Sequence, residues 1–309
     1  MTDDTLKSIV PAQVLGEIAE AVPAGCRDKL IVIGSLAVGY HYREQLGGMA
    51  VRTKDADCLL SPRVAAIDAG VKIAEELMDA GWKYRPTEEH AHPGTATTPD
   101  RDLPAVRLTP PGNPEWFIEL LTVPDSPDDR TQHWSRLATR HGHFGLCSFG
   151  FLSLTDVSPI TTDFGICIAR PEMMALANLL EHPEIKPDTM AAGFAGRMDV
   201  KRSNKDLGRV LAIGRLALGS DEDALLEWPR VWRDALQQRF PGDWRELAGR
   251  VGSGLREVMV SEPDLDQALH TCANGLLASR PPTLEQLRIV GLRMEQDAIS
   301  PLESEARGR

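Results

Sequence analysis

The stretch that decides the fold runs from Leu30 to Leu60 and reads LIVIGSLAVGYHYREQLGGMAVRTKDADCLL. Leu30 to Ile33 is short, apolar and β-branched, the pattern of a buried strand. Gly34 and Ser35 end that strand, and Leu36 to Gln45 is predicted to form a helix. Asp55 and Asp57 then open a second strand that continues through Cys58, Leu59 and Leu60. Residues at i and i+2 on a strand point to the same face. Both carboxylates therefore aim at one spot, close to a Gly-Ser turn at a helix N-terminus. The stretch joins a divalent-metal site to a phosphate cradle.

Two carboxylates call for a third on a neighbouring strand. Glu119 is the candidate, because it sits in the apolar run WFIELLTV (residues 116–123). A carboxylate inside an apolar strand is costly unless it is paired or bound to a cation. It should share a face with Phe117 and Leu121.

Outward from these residues the chain divides in two. Pro11 starts a first amphipathic helix with Val14, Leu15, Ile18 and Val22 on one face. Arg63 to Ala80 reads as a helix with Val64, Ile67, Val71, Ala74, Leu77 and Met78 at helical spacing, stopped by Gly81. Pro86 to Leu103 reads as an exposed loop or a hairpin tip. Ala105 to Leu108 and Glu115 to Val123 read as the strands of a hairpin, followed by β-prone pieces at Phe144 to Leu154 and Phe164 to Ala169. From Pro171 the pattern is helical: Asn204 to Leu218, Glu222 to Arg239, Trp244 to Val260, Leu265 to Ala278 and Leu284 to Met294, with Ser300 to Arg309 a frayed tail. The expected class is α/β (α+β): a mixed-sheet domain over residues 1–170 and a helical domain over 171–309.

Composition narrows the function. With 45 acidic and 34 basic side chains the chain carries a net charge of −11, which disfavours a large nucleic-acid footprint. No apolar run approaches the ~20 residues a bilayer span needs, and the first residues lack a secretory signal pattern. Five scattered cysteines without a CxxC fit the reducing cytosol, so the expected location is cytoplasmic, with no membrane partner. His90-x-His92 and His141-x-His143 lie in loop-like surroundings without further zinc ligands and are set aside. No GxSxG and no Walker-type phosphate loop occurs, and the GSG at residues 252–254 follows no strand. Trp228, Trp232 and Trp244 are expected in the core rather than as base-stacking platforms.

Gly34-Ser35, Asp55-x-Asp57 and Glu119 together resemble the fingerprint of the nucleotidyltransferase superfamily with the polymerase-β-like fold. The phrase VRTKDAD (residues 51–57) is similar to the Arg-x-Thr-x-Asp-x-Asp of the branch that includes abortive-infection and toxin-type nucleotidyltransferases. In KRSNKDLGRVLAIGRL (residues 201–216), Lys205-Asp206 match that branch's later Lys-Asp on a helix. The resemblance spans residues 28–215. It departs in two places: an insertion around Gly47-Gly48, and a helix PEMMALANLL without the lysine that the branch carries there.

The resemblance implies a mixed-sheet nucleotidyltransferase core and transfer of a nucleoside monophosphate from an NTP such as ATP to an acceptor hydroxyl or phosphate. It implies two Mg²⁺ ions among Asp55, Asp57 and Glu119, with Glu119 orienting the acceptor or acting as its base. Gly34, Ser35 and the helix-start N–H groups would hold triphosphate oxygens, and Lys54, Lys201, Arg202 and Lys205 would neutralise charge. The acceptor is left open between a small molecule, RNA and protein. The absent helix lysine motivates an alternative: a non-catalytic member of the fold that binds a nucleotide or a protein partner.

Overall fold

The computed structural model describes residues 6–113, 115–126, 128–182, 190 and 194–308. They form two compact units. The first contains residues 1–37 and 53–169, and the second contains residues 38–52 and 170–309. The helix Gly34–His41 carries the division between residues 37 and 38.

In chain order the first unit holds β1 (Lys7–Ile9), α1 (Pro11–Ala21), β2 (Leu30–Val32) and the start of α2 (Gly34–His41). After β3 (Val51–Thr53) at the join come β4 (Asp55–Leu60), α3 (Arg63–Asp79), β5 (Lys83–Tyr84), β6 (Arg107–Thr109) and β7 (Phe117–Thr122). β8 (His133–Thr139), β9 (Gly142–Ser148), α4 (Leu152–Thr155), β10 (Ile160–Thr161) and β11 (Cys167–Ile168) complete it. Nine of these strands make one mixed sheet in the order β10-β11-β2-β4-β7-β6-β5, with β9 also beside β7 and β8 beside β9. β2 runs antiparallel to β4, β4 parallel to β7, and β6 antiparallel to β7, as the hairpin reading anticipates.

The two faces of this sheet differ. Ala56, Cys58 and Leu60 of β4, Ile118 and Leu120 of β7, and Leu108 of β6 are fully or nearly fully buried on one face. Helix α3 covers that face. Its Gly70 lies so close that an added Cβ would meet Leu137 at 3.1 Å and Leu60 at 3.2 Å. Asp55, Asp57, Glu119 and Arg107 alternate onto the opposite face.

The spacing assigned to α3 needs correction. Val64 and Ile67 are exposed, and the inward stripe is Ala66, Ala69, Gly70, Ile73, Ala74 and Leu77. Small residues form this stripe because the helix sits tight against the sheet. Strand β8 was not anticipated. Its residues are mostly half-buried or exposed, with Leu137 alone fully buried, so no strong alternation marks it.

The second unit contains α5 (Pro171–Glu181), α6 (Arg202–Ser220), α7 (Trp228–Arg239), α8 (Trp244–Arg250), α9 (Ser253–Val260), α10 (Glu262–Asn274), α11 (Leu284–Met294) and α12 (Ser300–Ala306). Helix α6 is its centre and packs on α5, α10 and α11. Lys201 and Asn204 at the start of α6 clasp α10: the Lys201 Nζ lies 2.7 Å from Asp264 Oδ1, and Asn204 Nδ2 donates to Asp264 and Gln267. Trp228 and Trp232 are buried, as expected, and the Trp232 indole N–H donates to the Glu172 carbonyl, whereas Trp244 is only half-buried, with Arg245 over its ring.

Three expectations fail here. The stretch from Glu222 to Arg239 splits into a 3₁₀ turn, Ala224–Glu227, and α7, which starts with Pro229 in its first turn. The stretch from Trp244 to Val260 breaks at Val251 and Gly252. The expected tail from Ser300 is not frayed over Ser300–Ala306, where α12 buries Leu302 and Glu303, and Arg309 lies outside the described residues. Among the described residues no helix is long and apolar enough to cross a membrane.

Candidate active site

Strand β4 pairs in parallel with β7 so that Asp55 is opposite Phe117 and Asp57 is opposite Glu119. Register partners on neighbouring strands share a face and stand about 4.8 Å apart. Asp57 and Glu119 are therefore adjacent, and the shared face expected from the sequence is found. Antiparallel β6 places Arg107 opposite Glu119 on the other side. One residue beyond β5, the Arg85 N–H donates to the Arg107 carbonyl at 2.8 Å, which extends the same row. The row thus reads Arg85, Arg107, Glu119, Asp57.

At its far end the row meets the start of α2. The Ile33 N–H donates to the Asp57 carbonyl at 2.9 Å, so β2 ends beside Asp57 and the chain turns into the helix there. Gly34 takes φ +74°, and a Cβ on it would lie 3.0 Å from Asp57 Oδ2. Only a residue without a side chain lets the helix start this close to the carboxylate. Ser35 is half-buried in the first turn.

Asp55 is oriented by Thr53, which the sequence reading included in VRTKDAD without giving it a role. The Thr53 hydroxyl lies 3.1 Å from Asp55 Oδ1 and 3.2 Å from its carbonyl oxygen. Lys54 precedes β4 half-buried, and its carbonyl accepts the Phe117 N–H. Arg202 and Lys205 belong to the second unit: Arg202 is exposed at the first position of α6, and the Lys205 Nζ lies 3.4 Å from Asp206 Oδ1. Lys201, already bound to Asp264, serves the packing of that unit.

Arg107 is a residue the sequence reading missed. Its Nε donates to Glu119 Oε2 at 2.6 Å, with the arginine side chain 35% exposed and the glutamate 16%. Burial works against the arginine charge, but Glu119, with Asp55 and Asp57 beyond it, outweighs burial and holds the guanidinium firmly charged. Among the described residues no group of three or more His, Cys, Asp or Glu side chains is placed to hold a metal ion. The acid that would complete such a group is turned to Arg107. The hairpin predicted from Ala105 to Val123 contained the signal, because its register sets Arg107 against Glu119.

Three of the four set-aside histidines have ordinary partners and His92 is exposed: His141 Nε2 lies 2.8 Å from Asp79 Oδ1, His143 meets Arg136, and His90 faces the Asp102 carbonyl.

No family model and no curated protein matches the chain. Among solved structures, the chain is similar to an antigenic nucleotidyltransferase-like protein from Paracoccidioides brasiliensis, with a TM-score of 0.38 and 14% identity over 86% of this chain and 95% of that one. A likeness at that level leaves the function to be argued from the chain's own residues.

Proposed function

We propose that the protein is a Mg²⁺-dependent nucleotidyltransferase that moves a nucleoside monophosphate from an NTP to an acceptor hydroxyl or phosphate. One observation carries this reading: Asp57 abuts the start of α2 on one side and has Glu119 as its register partner on the other. That position supports a reading in which phosphate binding and metal binding share one carboxylate.

Asp55 and Asp57 would hold the metal. Magnesium is commonly bound by one or two carboxylates and fills its octahedron with water and substrate phosphates. The pair therefore fits the ion without Glu119 as a ligand. When bound, Mg²⁺ neutralises phosphate charge and lowers the pKa of a coordinated hydroxyl. The N–H groups at the start of α2 and the Ser35 hydroxyl would bind triphosphate oxygens. Thr53 keeps Asp55 aimed at the site. Glu119 would accept the acceptor's proton as its oxygen bonds the α-phosphorus and pyrophosphate departs.

On this reading the first unit, residues 1–37 and 53–169, carries the chemistry, the second unit is an accessory helical domain, and the five unpaired cysteines agree with work in the cytosol. The pairing of Glu119 with Arg107 favours one second reading, a fold that binds nucleotide without turning it over.

The experiment is incubation with α-labelled NTPs, Mg²⁺ and a cell extract, followed by identification of what carries the label. Asp57→Asn should abolish label transfer and pyrophosphate release while the protein stays folded. Turnover within about threefold of wild type would mean under ~1 kcal/mol in the barrier and would exclude the mechanism. Nucleotide binding with no turnover in the wild type would establish the second reading.

A further inference from the structure

The charged row across the sheet is polarised, and its cationic half has no assigned task. Asp57 has the helix start on its β2 side and Glu119 on its β7 side. If the triphosphate takes the helix start, the reacting phosphorus lies at the carboxylates and the acceptor enters from the side of Glu119. That side is occupied by Arg107 and then Arg85. They stand two and three strands from Asp57, about 10 and 14 Å across the sheet.

Both arginines have donors to spare. Arg85 is half-buried, with its guanidinium stacked 4.7 Å over the Phe117 ring, and it makes no side-chain hydrogen bond or ion pair among the described residues. Arg107 bonds Glu119 through Nε alone, leaving its two terminal nitrogens without a described partner. A guanidinium fixed by an aromatic face or a carboxylate has already lost much of its rotamer freedom. Its remaining N–H groups match phosphate geometry at little further entropic cost.

We propose that the acceptor is a small phosphorylated molecule whose phosphate is held by Arg85 and Arg107 while its hydroxyl lies at Glu119. This rests on the nucleotidyltransferase reading. It deepens it by naming the acceptor's charge: a neutral or cationic acceptor would leave two arginines unused or repelled.

The test uses the full chain with Mg²⁺ and a saturating non-hydrolysable ATP analogue. Ribose 5-phosphate and ribose are titrated separately by calorimetry into wild type, Arg85→Gln and Arg85→Lys. The expected result is at least tenfold tighter binding of the phosphorylated sugar to wild type. Arg85→Gln should erase that preference, and Arg85→Lys, which keeps the charge and guards against a mere folding defect, should retain part of it. No preference in wild type, or a preference that survives in Arg85→Gln, overturns the proposal. Inorganic phosphate binding that the ATP analogue abolishes would assign the arginines to the triphosphate and also overturn it. Failure of wild type to bind the Mg²⁺–analogue complex would sink the nucleotidyltransferase reading itself. Intact analogue binding without sugar discrimination would sink only the acceptor assignment.

Discussion

A methyl group at Gly34 would act twice. At φ +74° an L-residue is in the left-handed region, which costs about 1–2 kcal/mol, and the new Cβ would press on Asp57 Oδ2 at 3.0 Å. Gly34→Ala should therefore destabilise the protein by about 1–2 kcal/mol in denaturant unfolding and, on the proposed function, lower NTP turnover by more than stability alone explains. Unchanged stability would show that the start of α2 relaxes freely and that the close approach to Asp57 has no role. At this scale the acids were legible because charge in an apolar strand is anomalous: Asp57 and Glu119 stand out in DADCLL and WFIELLTV. Arg85 was not, because an arginine in the polar stretch KYRPTEEH is ordinary; Arg107 carries the same anomaly in LPAVRL but is legible only once its partner strand is known. Their meaning comes from a register that joins residues 85, 107, 119 and 57 across four strands. Thr53 stands in the quoted VRTKDAD, but its role does not show there, since a hydroxyl two residues before an aspartate reveals its partner only once the backbone bends it back.

Among the elements, α12 gives the sharpest test. Its Leu302 is fully buried, and the Glu303 carboxylate, also buried, accepts hydrogen bonds from the Gly252 N–H and from Arg256. Loss of one large buried apolar side chain costs about 2–5 kcal/mol. A frayed end would cost within about 0.5 kcal/mol. A chain ending at Ile299 should thus lose at least ~2 kcal/mol of stability, read from guanidinium or thermal unfolding. A loss under ~0.5 kcal/mol would restore the sequence reading of a tail. That reading failed because PLESEARGR offers a single large apolar residue, and no periodicity can be seen from one point. α11, by contrast, has its capping box at Thr283 and Gln286 and was placed correctly at Leu284–Met294. The break at Gly252 was also hidden. A Cβ there would strike Ile299 at 2.5 Å, a constraint set by a helix 47 residues away.

For the whole molecule, the division of the chain matters more than the number of elements. Residues 38–52 group with the helices that begin at residue 170, not with the sheet they interrupt. Within that unit the Arg52 N–H donates to the Gly275 carbonyl at 3.1 Å, Arg280 donates to the Gln45 carbonyl, and the Gln45 amide to Ser220. Val38, Tyr40, Tyr42, Leu46 and Val51 are all buried. A fragment of residues 1–169 should therefore leave these side chains uncovered, bind a hydrophobic dye strongly and associate in solution. Each burial forgone is worth about 1.5–3 kcal/mol for the aliphatic members. A monomeric fragment without dye binding would show that residues 38–52 find cover within the first unit.

That early segment also has a schedule. Residues 38–52 leave the ribosome long before Ser220, Gly275 and Arg280, the residues that bond to it. At roughly 5–20 residues per second, the interval is on the order of ten seconds or more. For that time five apolar side chains wait beside a sheet whose strands β4 and β7 are already free to pair. The nascent chain is most exposed to mispairing then, and slowing synthesis after residue 170 would lengthen the wait.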